Sequence, residues 1–332
     1  MLYSVKSTLY KKISNLNIFI KEAYKILPMD ISAFIKNIPN NIDIKITNNF
    51  SSIYKVWKDP DIKTKISNLL VTIYTADIIH SIANMLKKSG GNWSLVSFEN
   101  QQTTKIWSMR NPLLPDTQKA NPVNMSKNVI MTGPNAAGKT TYVKSILSNV
   151  ILSQTFGIAY GIKAETILYD NIASFMRVSD VLGSKSYFEA EAEYCKQMMK
   201  KADALSKAGK YGLFLMDEPM HSTPPMEGMA TAYAVAEYIG KLPKCTIILT
   251  THFHKLVLLE KEYPEHFINL SVEAIPRSNG FLFPYAIKRG YSYQCIAIEL
   301  LSAKEFPEQV IKSAINMKNK ICAEIIDKDV LS

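Results

Sequence analysis

With 332 residues, 47% of them hydrophobic, the chain can bury a full core and suggests two domains with a small appendage. Its apolar stretches break well before the roughly 20 residues of a membrane span, and the Lys-dotted start leads to no small-residue cleavage site, so neither a membrane segment nor a secretory leader is expected. The net charge of +10 is uneven, with 17 Lys and Arg against 8 Asp and Glu in residues 1–127 but 22 against 21 in residues 128–332; the basic front is either a docking surface for a polyanion or a solvated face of an Asn-, Ile- and Lys-rich segment.

Apolar residues recur at spacings of three and four through Ile62, Ile66, Leu69, Leu70 and Ile73 and on through Ile78, Ile79, Ile82 and Leu86, so helices are predicted from residue 1 to about 88. Gly90-Gly91 punctuates their end. Strand-like runs follow at 93–98 and 105–109, and a connector with Pro112, Pro115 and Pro122 leads into a strand at 129–131. Beyond it strand and helix alternate, the pattern of an α/β domain on a largely parallel sheet. Helices are expected over 140–155, 187–207 and 227–240, and buried strands over 213–216 and 246–250. The runs 267–275 and 281–287, joined around Ser278-Asn279-Gly280, are expected to pair as a hairpin. Two helices, about 292–301 and 307–324, close the chain.

Between the strand ending near Met131 and the helix starting at Thr140 runs Gly133-Pro134-Asn135-Ala136-Ala137-Gly138-Lys139-Thr140, the pattern G-x-x-x-x-G-K-S/T. Successive backbone N–H groups can face a phosphate only where no Cβ intrudes; Gly133 and Gly138 give that freedom, and the following helix adds its N-terminal dipole. In such a loop Lys139 reaches the β- and γ-phosphates of ATP, and Thr140, followed by Thr141, sets its hydroxyl on Mg²⁺. The strand over 213–216 runs into Asp217-Glu218. An acid at the tip of a buried strand costs desolvation energy unless a cation uses it. Asp217 suits a Mg²⁺ partner, and Glu218 a base that polarises an attacking water. The next strand ends in Thr250-Thr251-His252, an imidazole able to hydrogen-bond a γ-phosphate. His80, His221, His254 and His266 have no partner at metal-ligand spacing and read as ordinary residues. Cys195, Cys245, Cys295 and Cys322 lie far apart without a C-x-x-C pair, which argues against a zinc site and fits a reducing compartment.

In that order these segments resemble one family. Thr132 to Tyr142 resembles the T-G-P-N-M/A-G/A-G-K-S-T-Y of the MutS mismatch-repair ATPases, in which the Pro134-Asn135 pair is distinctive. Ser186-Tyr187-Phe188-Glu189-Ala190-Glu191 is similar to the family's S-T-F-x-x-E, and Leu215-Met216-Asp217-Glu218 to its L-x-D-E. Ser222-Thr223 with Glu227-Gly228 is similar to G-T-x-x-x-D/E-G, and Thr251-His252-Phe253-His254-Lys255-Leu256 to A-T-H-Y/F-x-x-L. Upstream, Arg110-Asn111-Pro112 resembles R-H-P, and residues 120–126 the segment before the first strand. The likeness covers roughly residues 70 to 320.

The resemblance implies an α/β P-loop NTPase of ABC type with an N-terminal helical, lever-like domain (1–90), an ATPase domain (91–290) and a C-terminal helix-turn-helix (291–332) that clasps another subunit. It implies a homodimer, or a dimer with a related MutS-like subunit. Each composite site would draw Lys139, Thr140, Asp217, Glu218 and His252 from one chain and Ser186 in trans from the other. ATP and Mg²⁺ are the implied cofactors, mismatched or branched DNA the implied partner on the basic helices, and the setting is soluble and intracellular, with no membrane. The implied function is ATP hydrolysis in mismatch repair or a related DNA-processing step; the alternative is a nucleotide-gated assembly module that holds a partner protein with little turnover. Departures from the pattern are Gln118 where the family has its adenine-stacking aromatic, Met220-His221 in place of Arg-Gly, and Pro224-Pro225 in the same loop. The roughly 90 residues before Gly90-Gly91 are expected to hold neither a mismatch-reading domain with its F-x-E wedge nor a clamp. A transporter subunit would need an L-S-G-G-Q signature where Gly183-Ser184-Lys185-Ser186 stands, and no heptad run supports a coiled-coil chromosome ATPase.

Overall fold

The computed structural model describes residues 60–98, 102–176, 187–277, 280–294, 296–304 and 306–330; the helices expected before residue 60, and Ser186, lie outside them. The chain divides into two compact units, Met1–Lys88 and Ser89–Ser332. Within the first, the described part is one helix, α1 (Pro60–Lys88). Pro60 opens it at a position where a missing N–H is tolerated, and Lys87 and Lys88 sit at the negative end of its dipole. Among the described residues no helix is long and apolar enough to cross a membrane.

The second unit runs β1 (Ser94–Ser97), β2 (Lys105–Met109), β3 (Asn121–Asn124), β4 (Asn128–Thr132), α2 (Lys139–Phe156), β5 (Ile158–Ala159), β6 (Lys163–Glu165), β7 (Asn171–Phe175), α3 (Tyr187–Lys207), β8 (Gly212–Asp217), α4 (Pro225–Gly240), β9 (Cys245–Thr250), a 3₁₀ turn (His254–Val257), α5 (Leu258–Glu262), β10 (Phe267–Ser271), β11 (Ile275–Arg277), β12 (Gly280–Leu282), β13 (Lys288–Arg289), α6 (Ala297–Ala303) and α7 (Glu308–Val330). Its spine is a six-stranded sheet ordered β13-β10-β4-β9-β8-β7, parallel except for β13. Strands β4 and β8 are buried at every residue. Uninterrupted apolar runs such as Leu213-Phe214-Leu215-Met216 demand this, since a parallel strand covered on both faces offers no position to water.

Successive side chains of these strands go to opposite faces. Phe214, Met216, Ile247 and Leu249 pack with Cys195, Met198 and Ala202 of α3 and Ala232, Val235 and Ile239 of α4. Leu213, Leu215, Val129, Met131 and Ile248 pack on the other side with Tyr142, Val143, Ile146 and Val150 of α2. A second sheet, ordered β3-β2-β6-β1-β5, closes over that side with Ile106, Met109, Val123, Ala159 and Ala164 in the same cluster. One buried amide pins the spine: the Asn128 side chain donates to the carbonyls of Gly240 (2.8 Å) and His266 (2.9 Å) and accepts from the Ile247 N–H (2.8 Å).

The expected hairpin is present in two pieces: Ile275–Arg277 pairs antiparallel with Gly280–Leu282, and Leu270 and Ser271 of β10 pair antiparallel with Arg289 and Lys288 of β13. What the sequence did not show is that Phe267–Ser271 also pairs in parallel with β4 along its whole length. The chain leaves the sheet at Val272, whose N–H bonds the Thr132 carbonyl at 3.0 Å. One expectation is corrected: no helix begins at Ser292. Its N–H is held by Thr132 Oγ1 (2.8 Å), and the Gln294 amide exchanges two bonds with the Ala274 backbone (2.7 and 2.6 Å), so residues 292–294 are non-helical.

Candidate active site

Strand β4 ends at Thr132, and residues 133–138 turn the chain into α2. Gly133 has φ +143° and Gly138 φ +99°. A Cβ on Gly133 would lie 2.4 Å from the Val272 carbonyl oxygen, so the close approach comes from behind the loop as well as from its open side. On Gly138 it would meet Tyr285 Cδ1 at 3.0 Å. No side chain caps α2, so its first N–H groups and the positive end of its dipole face an open cleft of about 520 Å³. Among the residues lining that cleft are Pro134, Asn135, Ala136, Gly138, Lys139, Thr140, Thr141, Asp217 and Glu218, two stretches far apart in sequence that meet because β4, β9 and β8 are neighbours.

Lys139 is 4% exposed. Its Nζ donates to the carbonyls of Gly133 (2.8 Å) and Pro134 (3.3 Å) and to Asn135 Oδ1 (3.4 Å), and it lies 3.6 Å from Glu218 Oε1. Burial pulls its pKa below the ordinary lysine value, while the carboxylates of Glu218 and Asp217 oppose the shift. Thr140 Oγ1 shares its proton between the two oxygens of Asp217, at 3.0 and 2.9 Å. Hydroxyl and carboxylate together are hard oxygen donors of the kind Mg²⁺ takes.

A residue that sequence reasoning missed organises both acids. Thr250 stands opposite Asp217 in the β8–β9 ladder. Its hydroxyl donates to Asp217 Oδ1 at 2.6 Å and accepts from the Glu218 N–H at 3.2 Å, while its carbonyl accepts from the same N–H at 3.0 Å. Glu218 is thereby held at φ +50° as the chain leaves β8. The only signal was a hydroxyl at the end of a buried apolar run, and its meaning depends on which strand lies next to it.

His252 follows β9 and is exposed. Partial desolvation lowers its pKa; Glu218 opposes this, and His221, Lys139 and His254 add to it. His221, read from sequence as ordinary, lies against it: the two rings meet edge to face with centroids 5.1 Å apart. Ser186 lies outside the described residues, but the helix that follows it carries Glu191, 3% exposed, which accepts from the Ser222 hydroxyl (2.5 Å) and N–H (3.3 Å). The start of α3 is thus tied to the loop that carries His221.

A second cavity, about 360 Å³, shares Gly138 and Thr141 with the first and extends to Arg110, Asn111, Asn121 and Tyr285. Gln118 is folded onto its own loop, accepting from the Asn111 N–H (2.7 Å) and donating to the carbonyls of Asn111 (2.9 Å), Leu114 (3.2 Å) and Pro115 (3.1 Å). Across the cavity Asn121 fixes the segment bearing Tyr285, donating to the Tyr285 carbonyl (2.8 Å) and accepting from the Ile287 N–H (2.9 Å).

Comparison with known proteins agrees with the motifs. The profile of MutS domain V matches residues 129–322. The DNA mismatch repair protein MutS of Prochlorococcus marinus (strain MIT 9312) is 31% identical over 231 residues, 67% of this chain and 25% of the relative. Proteins of the same name from Petrotoga mobilis and Acholeplasma laidlawii are 28% and 31% identical, over 75% and 59% of this chain and 30% and 23% of their own lengths. The chain therefore spans about a quarter of the length of these curated relatives. On the match to domain V, which covers more than half of its residues, the chain belongs to the MutS family.

Proposed function

We propose that the unit from Ser89 to Ser332 binds ATP with Mg²⁺ and hydrolyses it, within a protein acting in DNA mismatch repair or a related DNA-processing step. The observation that carries this reading is the joining of Thr140, Asp217 and Thr250 by hydroxyl–carboxylate bonds, beside Lys139 and Glu218 and under the uncapped start of α2. Thr140 and Asp217 would hold the cation, whose charge offsets that of the phosphates. The amides from Gly133 to Thr141 and the Lys139 ammonium would bind the triphosphate. Glu218, oriented by Thr250, would take a proton from the attacking water, and His252 would donate a hydrogen bond to the outermost phosphate. An ABC-type dimer, homotypic or with a related subunit, with Ser186 acting in trans and α6 and α7 as a helix-turn-helix clasp, belongs to the same reading, as do a soluble intracellular setting and DNA held by the basic residues before Gly90.

The reading is tested by ATP binding and turnover with and without Mg²⁺ and duplex DNA, on the full chain and on a chain lacking residues 1–66. Both chains should bind ATP, and only the full chain should show strongly salt-dependent affinity for duplex. A full chain that binds no nucleotide at millimolar concentration overturns the ATP reading, and equal DNA affinity of the two chains overturns the docking surface.

The second cavity suits the adenine base. Gln118 is occupied by its own loop, so the flat face falls to Tyr285, half-exposed and set against Gly138. Stacking on an aromatic ring contributes about 1 kcal/mol or more, so Tyr285→Ala is expected to weaken ATP binding by roughly fivefold or more. Affinity for inorganic tripolyphosphate, which has no base, should stay unchanged. Equal losses for both ligands would remove Tyr285 from base recognition.

A further inference from the structure

Beside the phosphate loop, three ligand-bearing side chains converge from two loops. Glu218 and His221 come from the turn after β8 and His252 from the end of β9, and one oxygen or nitrogen of each lies within 4.8 Å of the other two. Both histidines are exposed, while Glu218 keeps 12% of its side chain exposed, so an ion can enter from the histidine side. We propose that Glu218, His221 and His252 form a two-histidine, one-carboxylate site for a borderline transition-metal ion, with Zn²⁺ as the type ligand.

The donor set separates this site from Thr140 and Asp217. Imidazole nitrogen favours Zn²⁺, Co²⁺, Ni²⁺ and Cu²⁺, whereas Mg²⁺ prefers oxygen. Tetrahedral bonds of about 2.0–2.1 Å bring ligand atoms to about 3.3 Å from one another, a distance that modest side-chain rotations reach from here. The backbone that carries the ligands is already fixed. Met220, 2% exposed, and Ser222, bonded to buried Glu191, flank His221. Thr251 and Phe253 flank His252, both buried, with the Phe253 N–H on Thr251 Oγ1 at 2.9 Å. Opposing the site is the Lys139 ammonium, 3.6 Å from Glu218 Oε1, which competes with the ion for that carboxylate. The absence of paired cysteines bears only on thiolate zinc sites and leaves this one untouched.

An ion held here draws electron density from the Glu218 carboxylate and stabilises its charged form, so the carboxylate takes a proton from water less readily. Zinc would therefore slow ATP turnover without displacing nucleotide. That inhibition rests on the reading of Glu218 as the base; the binding of metal does not.

Co²⁺ titration of the full chain, first stripped by chelator, tests the site. Wild type should develop strong visible d–d bands, saturating at one ion per chain and bleached by Zn²⁺. His221→Ala should lose the bands and about tenfold or more in affinity. It should also keep its turnover in chelator and become insensitive to the zinc concentration that inhibits wild type. His254→Ala should retain the bands. No bands in wild type, or the same bands and affinity in His221→Ala, overturns the proposal. Cobalt bound through His221 with turnover unmoved by zinc upholds the site and overturns Glu218 as the base.

Discussion

Glu218→Gln is expected to lower ATP turnover by about 10²–10⁴-fold, the usual contribution of a positioned general base, while ATP affinity stays within about threefold of wild type. The amide keeps the shape of the carboxylate and the backbone bonds to Thr250, but it takes no proton from water at neutral pH. Its second effect falls on Lys139. The carboxylate, 3.6 Å away, supports the ammonium against burial, and the amide withdraws that support. The carbonyls of Gly133 and Pro134 still hold the lysine, so nucleotide binding survives. Single-turnover hydrolysis beside equilibrium binding reads both quantities. Equally slow hydrolysis by wild type and variant would favour the assembly-module reading, in which bound ATP holds a partner and is scarcely turned over.

The second large effect is structural. Gly133→Ala should destabilise the second unit by about 3–5 kcal/mol and abolish nucleotide binding, because two costs coincide. The backbone sits at φ +143°, where an L side chain is strained, and the new methyl would stand 2.4 Å from the backbone oxygen of Val272, a residue whose N–H is bonded to the Thr132 carbonyl. Gly138→Ala meets only the ring of Tyr285 at 3.0 Å, a half-exposed side chain that can turn aside, and should cost about 1–2 kcal/mol of positive-φ strain. Thermal unfolding of the two variants side by side checks the order. Equal stabilities would mean that the chain after β10 yields to Gly133 more readily than its hydrogen bond suggests.

What could be read from sequence was what short range dictates. The loop from Gly133 to Thr140, the acids after Met216 and the histidine after Thr251 declare themselves through a few neighbouring residues, and the structure gathers all of them at the carboxyl ends of β4, β8 and β9. Helix α3 emerges with the predicted bounds, since Ala, Glu, Lys and Met carry a helical pattern unaided. Contributions that depend on sheet order stayed hidden. Nothing near Thr250 says that it will face Asp217, and nothing near His221 says that it will meet His252; both follow from β8 and β9 lying side by side. Glu191 appeared only as a letter in a motif, and its bond to Ser222 shows what the letter is for in this chain. The parallel pairing of β10 with β4, more than a hundred residues upstream, stayed hidden for the same reason, while the hairpin, a local pairing, was legible.

Thr250 has one further consequence. A single oxygen serves as donor to one acid and acceptor for the backbone of the next, so the residue that would grip the cation and the residue that would activate water cannot be adjusted separately. Any slide of β9 along β8 carries both off their marks together. The two proposed roles would thus be geared to one strand, with its register as the natural unit of control.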